Sequence, residues 1–290
     1  MQFLKYIFWL NIVVTLGCVD IAPLPSFNAD EKMFVMCELD VGKRIVAKIY
    51  YTGDVNGKKI RHLNADDLEY FSLVEGDKDW GYPFEYDRVD SVFYIEADNF
   101  EIKSDLTYRF MGVGQSAKGG DPEIQIPLPI SLDTFIINKL ELSINQGKYK
   151  TDLNCSLEIS EEINENSFFY IIPKSDDGGV WEVDHFYNNV SAFNRLSHKP
   201  GFLIDYSLAG SNNIKLQLSI SELDTTSNIT FEIYHVTESF YRYNLYTSNI
   251  VSGGNSLSIN PPIAGFNIQT DKAIGTFSAK IGINKTYSIR

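Results

Sequence analysis

Apolar and polar positions alternate in short runs along most of the chain. Leu216, Leu218 and Ile220 alternate with Lys215, Gln217 and Ser219, which predicts a strand with one wet face. Runs rich in β-branched and aromatic residues at 33–40, 44–51, 89–96, 107–113, 135–144, 155–159, 202–206 and 229–236 predict further strands. The stretch Phe168-Phe169-Tyr170-Ile171-Ile172 is apolar throughout, as a fully buried strand would be. Turn clusters such as Asp40-Val41-Gly42-Lys43 and Asp176-Asp177-Gly178-Gly179 separate the runs. One stretch breaks the pattern. Phe240, Tyr243, Leu245 and Tyr246 lack period-2 spacing and follow Thr237 and Ser239, either of which can cap a helix. We expect one short helix near residues 238–247, ended by Gly253-Gly254.

Strands recurring without helical periods between them predict an all-β protein of two antiparallel β-sandwich domains, immunoglobulin- or fibronectin-III-like, with the short helix in the second. Pro127 and Pro129 in Ile126-Pro127-Leu128-Pro129-Ile130 bar a central strand. They place the expected boundary near residues 130–136, with an N-terminal sandwich at 32–130 and a C-terminal one at 131–290. No repeat, coiled coil or second membrane span is visible in the sequence.

The N-terminus changes this picture from a fold to a location. Lys5 precedes the apolar run Ile7-Phe8-Trp9-Leu10 and Ile12-Val13-Val14, the layout of a secretory signal. That run falls short of the roughly 20 residues that span a bilayer. It ends in Leu16-Gly17-Cys18, which resembles a bacterial lipobox. The resemblance implies a signal peptide at 1–17, cleavage before Cys18, a diacylglyceryl thioether on its sulfur and an acylated new N-terminus. Residues 18–31 carry Pro23, Pro25, Ser26 and Asn28 and read as a tether. Val19 rather than Asp follows the lipidated position, which favours the outer membrane, with a periplasmic or cell-surface face.

Charge and cysteines narrow the partners. The formal charge is −13, so the chain has no electrostatic footprint for nucleic acid, and anionic head groups would repel it. Membrane attachment therefore falls to the lipid. Besides Cys18 there are Cys37 and Cys155, which could pair in an oxidising envelope. They fall in different predicted halves, so two buried free thiols are expected. They provide no metal-ligand spacing.

Four places resemble the Bacteroidota lipoprotein family known as domain of unknown function 4249. Cys18 is followed by a short tether that holds prolines and acids. Phe34-Val35-Met36-Cys37 opens the first strand. Ile126-Pro127-Leu128-Pro129-Ile130 is similar to the family's proline pair between halves. The stretch from Thr237 through Tyr246, then Ser248-Asn249-Ile250, Pro261-Pro262-Ile263 and Ala273-Ile274-Gly275-Thr276-Phe277-Ser278-Ala279, resembles its ending. The family's Asn-Ile-Gly-Gly order near the end is absent. The resemblance implies an accessory role beside a TonB-dependent outer-membrane receptor and assigns no reaction.

Candidate chemistry is sparse. The four histidines, His62, His185, His198 and His235, form no His-Glu-x-x-His, and no Gly-x-Ser-x-Gly elbow occurs. Solvated loop histidines are expected, and no cofactor, metal or catalytic residue is assigned. Asp66-Asp67, Asp77-Lys78-Asp79 and Asp176-Asp177 read as turn and cap carboxylates. The aromatic clusters carry more. Trp80, Tyr82 and Phe84 lie in a Gly- and Pro-interrupted stretch, and Trp181 and Tyr187 form a second group. Exposed rings beside carboxylates suit docking to a protein or stacking on sugar, so these five are the expected contact residues. The expected function is a non-catalytic accessory or binding subunit of a TonB-dependent transporter. A stand-alone surface protein that binds carbohydrate or peptide is the first alternative. An envelope hydrolase with an unrecognised site is the second.

Overall fold

The computed structural model describes residues 33–51, 61–62, 71–112, 123–129, 135–144, 151–159, 166–176, 178–187, 192–208, 213–220, 228–251, 267–269 and 273–288. The first half holds β1 (Met33–Asp40), β2 (Ile45–Tyr51), β3 (Arg61–His62), β4 (Ser72–Glu75), β5 (Tyr82–Pro83), β6 (Glu85–Asp87), β7 (Val92–Ile95), β8 (Thr107–Met111) and β9 (Glu123–Gln125). The second holds β10 (Phe135–Ile144), β11 (Thr151–Ile159), β12 (Phe168–Ser175), β13 (Glu182–Phe186), β14 (Phe193–Arg195), β15 (Phe202–Asp205), β16 (Asn213–Ile220), β17 (Asn228–Val236), β18 (Ile268–Gln269) and β19 (Ala273–Ser288). Helix α1 (Glu238–Val251) follows β17, so the expected helix is present and runs one turn further. The protein is all-β apart from this helix and one 3₁₀ turn, among the described residues.

One sheet passes through both halves. Its strand order is β14-β15-β12-β17-β19-β1-β2-β7-β6, with β18 also on β19 and β3 on β2. The link is the sixteen-residue β19. Its first part pairs in parallel with β1, from Met33↔Ala273 to Asp40↔Lys280. Its second part pairs antiparallel with β17, from Val236↔Lys280 to Asn228↔Ser288. The other described pairings are antiparallel. Two four-stranded sheets complete the fold, β5-β4-β8-β9 and β10-β11-β16-β13.

Alternation along the strands decides which face does what. Val35, Cys37 and Leu39 of β1, with Phe277 and Ala279 of β19, pack against Leu73, Tyr108 and Phe110 of the first small sheet. Phe110 and Phe277 meet with centroids 4.2 Å apart. Phe169 and Ile171 of β12, with Phe231 and Ile233 of β17, pack against Leu153, Cys155, Val183 and Leu218 of the second. Ile283 and Tyr287 of β19 flank this second core. The same face of the long sheet therefore carries both cores, and β19 contributes to each. Cys37 and Cys155 sit in separate cores as buried free thiols.

The opposite face carries α1. Phe240, Tyr241 and Leu245 of the helix meet Tyr170, Ile172, Leu203 and Val236 of the sheet. Thr237 caps the helix, since Phe240 N donates to Thr237 Oγ1 at 3.3 Å and Tyr241 N to Thr237 O at 3.1 Å. The same residue serves the sheet. β17 parts from β19 at Val236, which leaves backbone groups of residues 277–279 without a strand partner on that edge. Ala279 N donates to Thr237 Oγ1, Ser239 Oγ donates to Phe277 O, and Asn267 bonds both the N–H and the carbonyl of Phe277 at 2.7 Å. Side chains thus satisfy an edge that would otherwise stay open.

Candidate functional site

Trp80 and Tyr187 are the two rings most offered to solvent among the described residues, and Trp80 has the more built surroundings. It stands on the β4–β5 connection, 55% exposed. Gly76, at φ +58°, starts that turn, and Gly76 N donates to Thr107 O at 2.7 Å. Arg109 Nη2 donates to Lys78 O at 2.9 Å and ties the turn to β8. Gly81 runs so close to β4 that a Cβ there would lie 2.5 Å from Ser72 Oγ and 2.8 Å from Val74 Cγ2. The backbone beside Trp80 is therefore pressed onto the sheet. The indole tilts over Tyr82 at 5.2 Å, and the Lys78 ammonium stands 5.0 Å from its ring centre.

The other expected contact residues divide. Tyr82 lies half-buried against Phe100 at 4.0 Å, and Phe84 half-buried on Phe71 at 4.2 Å. Both are mainly wall of the first core. Tyr187 is 55% exposed, with its hydroxyl donating to Gln217 Oε1 at 2.8 Å. Trp181 corrects the expectation: it is 1% exposed in the second core and presents nothing to a partner. Its indole is taken up as filling between the two sheets, where a large apolar side chain contributes most. Cys18, with its leader and tether, lies outside the described residues, as do Asp66, Asp67 and Asp177. Asp176 accepts from Asn228 N and Nδ2 at 3.2 Å each, a cap rather than a ligand. No group of three metal-ligating side chains occurs among the described residues.

A polar cluster that sequence spacing could not reveal sits on the outer face of the long sheet, where the halves meet. Lys280 bonds Glu38 at 2.5 Å and Asp40 at 3.3 Å, and stands over the Tyr234 ring at 5.1 Å. Lys174 bonds Glu232 at 2.5 Å. Gly282 makes room for Tyr234, whose ring lies where a Cβ would be. Lys199 caps the cluster over the rings of Tyr170 at 4.7 Å and Phe240 at 4.3 Å. Burial lowers the Lys199 pKa to about 8, with Lys280 adding to the effect and Glu38 opposing it. Burial also lowers Lys280, but Glu38 and Asp40 outweigh it and hold its pKa above the ordinary value. Each of these residues is ordinary in its own stretch of sequence. Pairing between β1 and β19, about 240 positions apart, brings Lys280 to Glu38 and Asp40, and pairing between β12 and β17 brings Lys174 to Glu232.

Two histidines are structural rather than solvated. His235 lies on β17, stacks on Phe169 at 5.2 Å and donates from Nδ1 to Leu128 O at 2.9 Å. His198 Nε2 donates to Asn244 Oδ1 at 3.3 Å, while Asn244 Nδ2 donates to Phe240 O. Burial lowers both pKa values below the ordinary 6.5. The unfolded chain then binds protons that the folded chain refuses. Stability should fall as pH drops through about 6.5 and keep falling until the folded-state values are reached. Thermal unfolding between about pH 7.5 and 5 checks this, and His235→Phe should flatten the curve. An unchanged midpoint across that range would remove both histidines from the argument.

No family model matches the chain, and no curated protein sequence matches it.

Proposed function

We propose that the chain is an outer-membrane lipoprotein held by lipid on Cys18, acting as a non-catalytic binding or assembly subunit beside a TonB-dependent transporter. Two immunoglobulin- or fibronectin-III-like sandwich units, one on each core, form its body in this reading. The observation that carries it is Trp80: a large ring more than half exposed on a turn that Gly81 and Arg109 hold in place. Rigid exposed aromatics anchor protein interfaces at little entropic cost. The lipobox at Leu16-Gly17-Cys18 supports the location, and the charge of −13 leaves the lipid as the means of attachment.

Affinity capture from detergent-solubilised outer membrane tests the reading. The wild type should bring down a β-barrel protein, and Trp80→Ala should reduce recovery by about tenfold or more. Trp80→Ala should leave the fold intact, because the ring is outside both cores. Recovery of no barrel by the wild type would sink the proposal. The Tyr82 and Lys78 surroundings of Trp80 also suit stacking on a sugar or a peptide side chain, which keeps a stand-alone binding role as the second reading. Glycan- or peptide-array binding by the isolated protein, lost on Trp80→Ala, would favour it.

A further inference from the structure

Three side chains from three elements meet at one thioether on the outer face of the long sheet. Met36 comes from β1, Tyr50 from β2 and Tyr243 from α1. The Tyr243 hydroxyl donates to Met36 Sδ at 3.5 Å, and the Tyr50 hydroxyl reaches the same sulfur at 4.0 Å. Burial raises the pKa of both phenols, and Tyr243 raises that of Tyr50 further, so both keep their protons and remain donors. A thioether is a weak acceptor. A sulfoxide oxygen on the same sulfur is polar and accepts strongly. Met36 is half-buried, so a small oxidant can reach it.

We propose that Met36 is a two-electron oxidation site for hydroperoxides, with Tyr50 and Tyr243 donating to the oxygen as it transfers. A sulfur lone pair attacks the terminal oxygen of ROOH. The O–O bond breaks as the S–O bond forms, and the proton on the transferred oxygen passes to the departing RO⁻. Thioether and hydroperoxide become sulfoxide and alcohol: sulfur is oxidised by two electrons, and the peroxide is reduced by two. The phenol hydroxyls, 3.5 and 4.0 Å from the sulfur, are near enough to turn from it to the transferring oxygen as negative charge develops there, which is where donors speed a reaction. In the product they hold the sulfoxide oxygen, so the contact of α1 with β1 and β2 is kept and strengthened.

The full chain is treated with hydrogen peroxide, and oxygen uptake at Met36 and Met111 is followed by peptide mass spectrometry. Met111, half-buried on β8 like Met36 on β1, is the internal reference. Met36 should gain oxygen about tenfold faster than Met111, the rate equivalent of a hydrogen bond made in the transition state. Tyr50→Phe with Tyr243→Phe should bring Met36 down to the Met111 rate, with the Met111 rate itself unchanged. Should the double variant loosen the fold, seen as faster Met111 oxidation, Tyr243→Phe alone decides in the same way. A wild-type Met36 no faster than Met111, or variants that oxidise Met36 as fast as the wild type, would overturn the assignment.

Discussion

Cys18→Ala should abolish lipid attachment and lower partition into the detergent phase by about a hundredfold or more. Each buried methylene is worth about 0.8 kcal/mol, and one acyl chain alone binds reversibly. A diacylglyceryl group plus an N-acyl chain makes attachment effectively permanent on the same arithmetic. The charge of −13 repels anionic head groups, and no described helix is long and apolar enough to cross a membrane. The measurement is twofold: the mass of the N-terminal peptide, and the share of protein in the detergent phase. The wild type should begin at Cys18 and carry lipid mass. A wild-type chain that begins at Cys18 without lipid, and stays in the aqueous phase, would end the anchored reading. Because the anchor and the Trp80 surface are tested separately, a soluble protein that still captured a barrel would lose the first claim and keep the second.

Local chemistry made much of the fold legible. The run 135–144 is a strand over the same residues, and the run 229–236 is one with a single residue added at its start. The missing period-2 pattern after Thr237 marked α1, and Thr237 is its cap. Pro127 and Pro129 kept β9 short and at a sheet edge, as residues without a donor should. Where boundaries moved, a turn is the cause. The run 89–96 becomes a strand at Val92 because Asp87 Oδ1 accepts from Val89 N and Asp90 N, and Ser91 takes φ +54°.

What stayed hidden depends on partners far away in sequence. Trp80 and Trp181 each have a glycine within two residues and an acidic residue within one, yet one is exposed and the other buried. Local composition cannot separate them, because burial is set by which sheet arrives from elsewhere. The same holds for Glu38, Asp40 and Lys280, and for Met36 with Tyr243. The parallel pairing of the first and last described strands was also invisible. Parallel neighbours have no hairpin turn to announce them.

Gly275→Ala should be the most damaging conservative change in the described chain. Gly275 sits opposite Val35 in the β1–β19 ladder, at φ +151°, where a side chain is strained before any contact is counted. A Cβ there would run into the Val35 carbonyl oxygen and come within 2.8 Å of both Val35 N and C. Those are backbone atoms of a paired strand, so no side chain can swing aside. Strain and overpacking of this kind each cost about 1–3 kcal/mol, and together about 3–5 kcal/mol is expected. For a chain of this size that is a fall in Tm on the order of 10 °C. Gly42→Ala is the control. Gly42 also has positive φ, at +80°, but a Cβ there meets nothing within 4 Å, so its cost should stay near 1 kcal/mol. The shape of the transition carries a second expectation. Phe277 and Ala279 enter one core while Ile283 and Tyr287 flank the other, so a wedge at Gly275 should lower both together in one transition. Trp181 fluorescence follows the second core, and ring CD from the Phe71, Phe93 and Phe110 group follows the first. If the second core melted at its wild-type temperature while the first melted early, β19 would be two strands in series and not one shared girder. If Gly275→Ala cost no more than Gly42→Ala, the close approach of β1 to β19 would not be what holds the halves together.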